Sequence, residues 1–124
     1  MKELLLIFAG GGLGSVVRYL LGRWVTGLYQ LNFPLGTLVV NVVACFVLGL
    51  VVGLADHRHI LSVNARMFWA IGFCGGFSTF STFSYETLAL FQQPAIGSGL
   101  LYVLASVVLC LGATVLGMWV VRFV

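Results

Sequence analysis

The chain has 124 residues, of which 61% are hydrophobic and only 7% are charged, and its formal net charge is +3. Soluble domains carry about a quarter charged residues, so most of the surface of this chain must face lipid rather than water. The six basic residues form no cluster, which argues against a nucleic-acid partner.

Four apolar stretches are long enough to cross a bilayer, for which a helix needs roughly 20 residues. We predict transmembrane helices over residues 4–28, 35–55, 65–91 and 97–121. The connections between them are short, which favours antiparallel neighbours within one domain spanning residues 1–124. A bundle of this size cannot enclose a transport path alone, so we expect an integral membrane protein that works as an oligomer.

Small residues recur along the predicted helices. Glycines four residues apart let helix backbones approach closely in lipid, and packing is the interpretation for each pair. The cysteines are interpreted as small buried hydrophobes, because their odd number and wide spacing fit neither a disulfide framework nor a zinc site. The glycine pairs are Gly10 and Gly14, Gly49 and Gly53, and Gly72 and Gly76; the cysteines are Cys45, Cys74 and Cys110.

The third stretch carries an unusual segment, Gly72 to Glu86, which reads GFCGGFSTFSTFSYE. The double glycine lowers helix propensity, and the hydroxyl residues that follow can bind backbone groups in non-helical geometry. We therefore predict a break in the helix near Gly75 to Thr79. Backbone groups freed at membrane depth must meet protein, water or an ion, and broken helices are a recurring way to build ion sites in transporters.

The chemistry of this segment suits a small anion. Its Phe-Ser-Thr repeat places aromatic rings next to hydroxyls, and Glu86 is its only charged residue. Hydroxyl and amide groups donate hydrogen bonds, and the edge of a phenylalanine ring carries positive quadrupole density. Asn41, in the second apolar stretch, is costly in lipid unless it faces a partner or a pathway.

The Gly72 to Glu86 segment closely resembles the signature of the Fluc (CrcB) fluoride channels. Two further stretches are similar to motifs of that family: residues 10–19, GGGLGSVVRY, in the first helix, and residues 36–41, GTLVVN, in the second. Chain length and the four spans also agree. The resemblance covers nearly the whole chain and implies a fluoride-selective channel that exports fluoride passively across the cell (inner or plasma) membrane.

What the resemblance implies about assembly and site residues is specific. Members are antiparallel, dual-topology homodimers with two fluoride pathways and a central structural sodium ion (Na+). Backbone carbonyls of Gly75 and Ser78 would hold the sodium, although Ser78 stands where threonine is common in the family. Arg18 would support an aqueous entrance or give structural support by pairing with a polar group. The residues implied for the fluoride pathway are Asn41, Phe80, Phe83, Ser81, Thr82, Tyr102, Ser106 and Glu86.

Two other classes of function compete with a channel. A proton-coupled small four-helix exporter would need a carboxylate within the first helix, where only Glu3 stands, at the extreme terminus. A membrane-embedded enzyme would need a nucleophile beside a base, but His57 and His59 lie in a loop far from the hydroxyl-rich helix. We interpret that loop as solvated and polar, and we expect no catalysis.

Overall fold

The protein is described by a computed structural model that covers residues 1–56 and 59–123. Within these ranges the secondary structure is helical and contains no strand. His57, one of the two histidines weighed above, lies outside the described residues. The helices are α1 (Lys2–Leu28), α2 (Leu35–Asp56), α3 (Val63–Arg66), a π-helix (Met67–Cys74), α4 (Gly75–Phe77), α5 (Phe80–Phe91), α6 (Ile96–Val120) and a final 3₁₀ turn (Val121–Phe123).

Three of these helical segments are uninterrupted, long and apolar enough to cross a membrane: Lys2–Leu28, Leu35–Asp56 and Ile96–Phe123, counted over the described residues. The third predicted stretch is instead a series of short helices from Val63 to Phe91. The observed ends of all four stretches lie within two residues of the predicted ones. The protein is thus a multi-pass membrane protein with four helical stretches.

The third stretch is interrupted at Ser78 and Thr79, whose backbones are extended, with ψ of 158° and 107° respectively. The double glycine expected to break the helix is helical, because Gly75 and Gly76 begin α4. The interruption separates Phe77, which is buried against α2, from Phe80, which is 78% exposed. Phe77 and Phe80 therefore do not share one helical face, although both belong to the Phe-Ser-Thr repeat.

Close backbone contacts join the helices in two layers. α1 packs against the π-helix and α4, and α2 packs against α6. A Cβ atom on Gly14 would collide with the carbonyl of Phe73, and one on Gly49 would collide with the carbonyl of Thr114. The glycines predicted to pack helices together do so, because only a hydrogen fits between these backbones.

The core lies where α2 meets the third stretch. One buried cluster contains Val40, Ala44, Phe73, Cys74 and Phe77. A second, nearer the start of α2, contains Leu38, Leu90 and Tyr102. Asn41 lies three residues before Ala44, and its side chain contacts the interrupted segment.

Candidate functional site

The interruption in the third stretch is held by the side chain of Asn41. The backbone amide of Thr79 donates to Asn41 Oδ1 at 2.8 Å, and Asn41 Nδ2 donates to the carbonyl oxygen of Thr79 at 3.1 Å. The amide side chain thus pairs with the extended backbone as a neighbouring strand would. An asparagine in an apolar helix is costly unless its polar atoms have partners, and here both have one.

The interruption also changes the donors available to two carbonyl groups. In a continuous helix the amides of Thr79 and Thr82 would bind the carbonyls of Gly75 and Ser78. The Thr79 amide donates instead to Asn41, and the Thr82 amide donates to the Thr79 hydroxyl at 3.3 Å. The two carbonyls implied as sodium ligands are therefore among those at the interruption whose helical donors bind elsewhere. Gly75 is exposed, with open space where a Cβ would stand.

Glu86 lies at the centre of a second hydrogen-bond network. Its Oε1 accepts from the Thr37 hydroxyl at 2.8 Å, and its Oε2 accepts from the Tyr102 hydroxyl at 2.8 Å. Tyr102 is fully buried, so this network joins α2, α5 and α6. Both carboxylate oxygens thus receive a donor from a different helix, which fixes the position of Glu86.

A cluster of hydroxyl groups lies at the start of α5. The Thr79 hydroxyl caps the helix and donates to the Thr82 hydroxyl at 2.9 Å, while the Ser81 hydroxyl lies 3.4 Å away. Thr79 is 8% exposed, whereas Ser81 and Thr82 are exposed. Hydroxyls can donate or accept by rotating, so this cluster offers polar contacts at the interruption.

Two cavities border the Asn41–Thr79 pair. The larger, of about 790 Å³, is lined by Arg18, Arg23, Thr82 and Glu86 among others. The smaller, of about 280 Å³, is lined by Asn41, Cys45, Ser78, Phe80, Phe83, Ser106, Val107 and Cys110. Thr79 lines both. The hydrogen-bonded pair therefore stands where a polar vestibule and a more apolar cavity come together.

Two phenylalanines of α5, Phe80 and Phe83, line the smaller cavity. The Phe80 and Phe83 ring centroids are 5.5 Å apart at an interplanar angle of 40°, and Phe83 lies 5.2 Å from the Tyr102 ring. Phe83 is partly buried, but Phe80 is 78% exposed. Their role as ring-edge anion contacts stays a prediction.

Ser106 and Arg18 complete the set of predicted residues. Ser106 is 7% exposed, and among the described side chains its Oγ is the buried polar atom that has no hydrogen-bond partner. It faces the smaller cavity, where a ligand could satisfy it. Arg18 is partly buried and lines the vestibule with Arg23, which donates to the Tyr19 hydroxyl at 3.1 Å.

The structure thus brings most of the predicted residues to the two cavities. The sequence reasoning missed Thr37 and Thr79 as individual contributors. Thr79 had a signal, because threonine directly before an apolar helix is a favoured cap. Thr37 belongs to a motif already noted, but its partnership with Glu86 depends on tertiary packing. Among the described residues, no group of three or more His, Cys, Asp or Glu side chains could hold a metal ion.

Comparison with known proteins places these observations in a family. A family model described as "CrcB-like protein, Camphor Resistance (CrcB)" matches residues 5–118. The chain is similar to the "Fluoride-specific ion channel FluC" of Agrobacterium fabrum, with 43% identity over 95% of this chain and 94% of the relative. The proteins of that name from Phocaeicola vulgatus and Thermus thermophilus are 45% and 46% identical, over 96% and 94% of this chain and 98% and 91% of the relative.

Proposed function

The chain belongs to the CrcB-like family, and on that premise we propose that it is a fluoride-selective channel that lets fluoride leave the cell passively. Two observations together carry the proposal. Relatives that match nearly the whole chain are named as fluoride-specific ion channels. In addition, hydrogen-bond donors and aromatic rings line two cavities that meet at Thr79. The name of these relatives describes a transporter rather than an enzyme.

The vestibule is the proposed entrance for the anion. Two cationic side chains, Arg18 and Arg23, outnumber the single carboxylate of Glu86 on its wall, and a net positive charge raises the local concentration of anions. Both carboxylate oxygens of Glu86 already accept hydrogen bonds, from Thr37 and Tyr102. These two donors hold the carboxylate in place. The Thr82 hydroxyl, which lines the same cavity, lies on the proposed route of the anion.

Fluoride is strongly hydrated, so a narrow passage must replace its water with donors at close range. Asn41 Nδ2 has two hydrogens, and one of them is committed to the Thr79 carbonyl. The second hydrogen, together with the Ser81, Thr82 and Ser106 hydroxyls, is the proposed donor set. The ring edges of Phe80 and Phe83 supply positive quadrupole density in the smaller cavity.

An antiparallel homodimer is the proposed assembly. Phe80, although it lines a cavity, is 78% exposed in the single chain, and Gly75 beside the interruption is exposed as well. A second copy covering this surface would complete the smaller cavity and would give two pathways, one beside each chain. Antiparallel pairing would also supply the inverted symmetry that larger transporters obtain from internal repeats.

A central sodium ion is the proposed cofactor of that dimer. The carbonyls of Gly75 and Ser78 fit this role, because their helical donors are diverted and unwound backbone carbonyls are common ligands of sodium in transporters. Two carbonyls from each copy would make four oxygen ligands. When bound, the ion would supply positive charge that holds the two interruptions together.

Fluoride efflux from liposomes that contain the purified protein tests the proposal, with chloride as the control anion and no proton gradient. We expect rapid, fluoride-selective efflux. Phe80→Ile and Phe83→Ile should cut the flux sharply, whereas Phe8→Ile, at a ring that is 80% exposed on α1 and outside both cavities, should leave it unchanged. Efflux that appears only with an imposed proton gradient would overturn the channel in favour of coupled export.

The assembly and the sodium ion need a separate measurement. Purified protein is examined for oligomeric state and thermal stability in sodium and in N-methylglucamine salts of equal ionic strength. We expect a dimer whose melting temperature falls when sodium is absent, since a ligand bound only to the folded state stabilises it. A monomer that conducts fluoride, or a melting temperature indifferent to sodium, would contradict this part of the proposal.

A further inference from the structure

Two of the three cysteines do not fit the expectation of small buried hydrophobes. Cys74 is buried in the core, but Cys45 and Cys110 are partly exposed and both line the smaller cavity. One belongs to α2 and the other to α6. The wall of the cavity thus carries a pair of thiols from two helices.

The packing register of α2 and α6 explains why the thiols meet. Gly49 lies against Thr114 and Gly53 lies against Met118, so the two helices are parallel and keep a constant register. Each step of four residues moves one turn along both helices. Continued towards the start of both helices, this register predicts the pairs Cys45 with Cys110, Asn41 with Ser106, and Thr37 with Tyr102.

The neighbouring pairs in this register supply polar groups to the proposed pathway. Thr37 and Tyr102 both bind Glu86, and Asn41 and Ser106 both line the smaller cavity. The Ser106 Oγ is buried without a partner among the described residues. A group bound between the thiols would therefore lie one helical turn from a polar atom that has no hydrogen-bond partner.

We propose that Cys45 and Cys110 form a two-sulfur site for a soft, monovalent cation of the Cu(I) class, and that the bound cation obstructs the smaller cavity. Sulfur ligands select such cations over hard ones. Two facing sulfurs suit a cation that accepts two ligands in a line. The obstruction rests on the proposed fluoride pathway, whereas the binding of the cation does not.

Charge balance favours a monovalent cation at this depth. Binding to one thiolate and one neutral thiol releases a single proton to water and leaves a complex with no net charge. A neutral complex avoids the large cost of placing an isolated charge among apolar side chains such as Val107 and Phe83. Displacement of one proton also makes binding weaker at low pH.

Silver ion is the probe, because it has the same charge and sulfur preference as Cu(I) and is stable in air. Purified protein in detergent is titrated with silver nitrate in chloride-free buffer. Cys45→Ser and Cys110→Ser should each weaken tight binding more than about tenfold, since loss even of outer-shell partners costs about 10–100-fold. Cys74→Ser, the matched control outside the cavity, should bind as the unchanged chain does.

Two further measurements distinguish loss of the metal site from misfolding of a variant and from a change in its basal fluoride flux. In the unchanged chain, silver should protect Cys45 and Cys110 from alkylation, as mapped by mass spectrometry. In liposomes, silver should stop fluoride efflux through the unchanged chain and through Cys74→Ser. It should leave efflux through Cys45→Ser unchanged. Each protein is compared with its own rate before silver is added.

Undiminished binding by Cys45→Ser or Cys110→Ser, or protection of Cys74 alone, would overturn the site. Continued efflux with silver bound would overturn the obstruction. A chain that binds silver but never conducts fluoride would refute the proposed function and leave the metal site standing.

Discussion

Replacing Asn41 with alanine tests how the interruption in the third stretch is held. The change removes two hydrogen bonds, of 2.8 and 3.1 Å, and leaves the amide and the carbonyl of Thr79 without them. Thr79 is only 8% exposed, so water does not readily replace the lost partners. Each orphaned buried group costs about 1–3 kcal/mol, which gives a loss of about 2–6 kcal/mol in the free energy of unfolding.

The assay is reversible unfolding by sodium dodecyl sulfate in mixed micelles, at a fixed protein concentration because assembly shifts apparent stability. Asn64→Ala, at an exposed position in α3, is the control and should change stability by no more than about 0.5 kcal/mol. Equal stability of Asn41→Ala and Asn64→Ala would refute the reasoning.

Three further outcomes are expected. Thr79→Ala should cost about 0.5–2 kcal/mol, because its hydroxyl caps α5; an unchanged unfolding midpoint would show that the cap is dispensable. Gly49→Ala should cost at least about 1–3 kcal/mol, because its Cβ would overlap the Thr114 carbonyl, whereas Gly12→Ala, with nothing near its Cβ, should be tolerated in the same titration. Ser106→Ala should leave stability unchanged or raise it by about 1 kcal/mol while lowering fluoride efflux, since the lost hydroxyl has no partner; a destabilised protein would show that Ser106 has a structural partner.

The sequence was sufficient to locate the helices and to limit the interruption to residues 75–79, but not to place it within that range. Apolar stretches long enough to span a bilayer are a strong signal, and α1, α2 and α6 follow them closely. The interruption was expected across Gly75 to Thr79 on the basis of local propensity. It falls at Ser78 and Thr79, because side-chain acceptors capture two amides there, and one of those acceptors lies on α2. Local propensity contains no information about such a distant partner.

For the candidate site, single polar residues could also be predicted from the sequence, whereas their partners could not. Asn41 and Glu86 could be singled out because polar groups in apolar helices need partners. Their partners could not be identified, since the pairing of Glu86 with Thr37 and Tyr102 depends on the register between α2, α5 and α6. The pair of thiols could not be predicted for the same reason. Cys45 and Cys110 line one cavity only because of the register in which α2 packs against α6.

Asn41 has two effects at once. By accepting from the Thr79 amide it takes the helical donor of the Gly75 carbonyl, and by donating to the Thr79 carbonyl it holds the wall that both cavities share. In the proposed channel the sodium ligands and the anion pathway therefore depend on one side chain. Loss of this side chain should then weaken the response of stability to sodium together with fluoride flux, whereas loss of Phe83 should affect the flux alone.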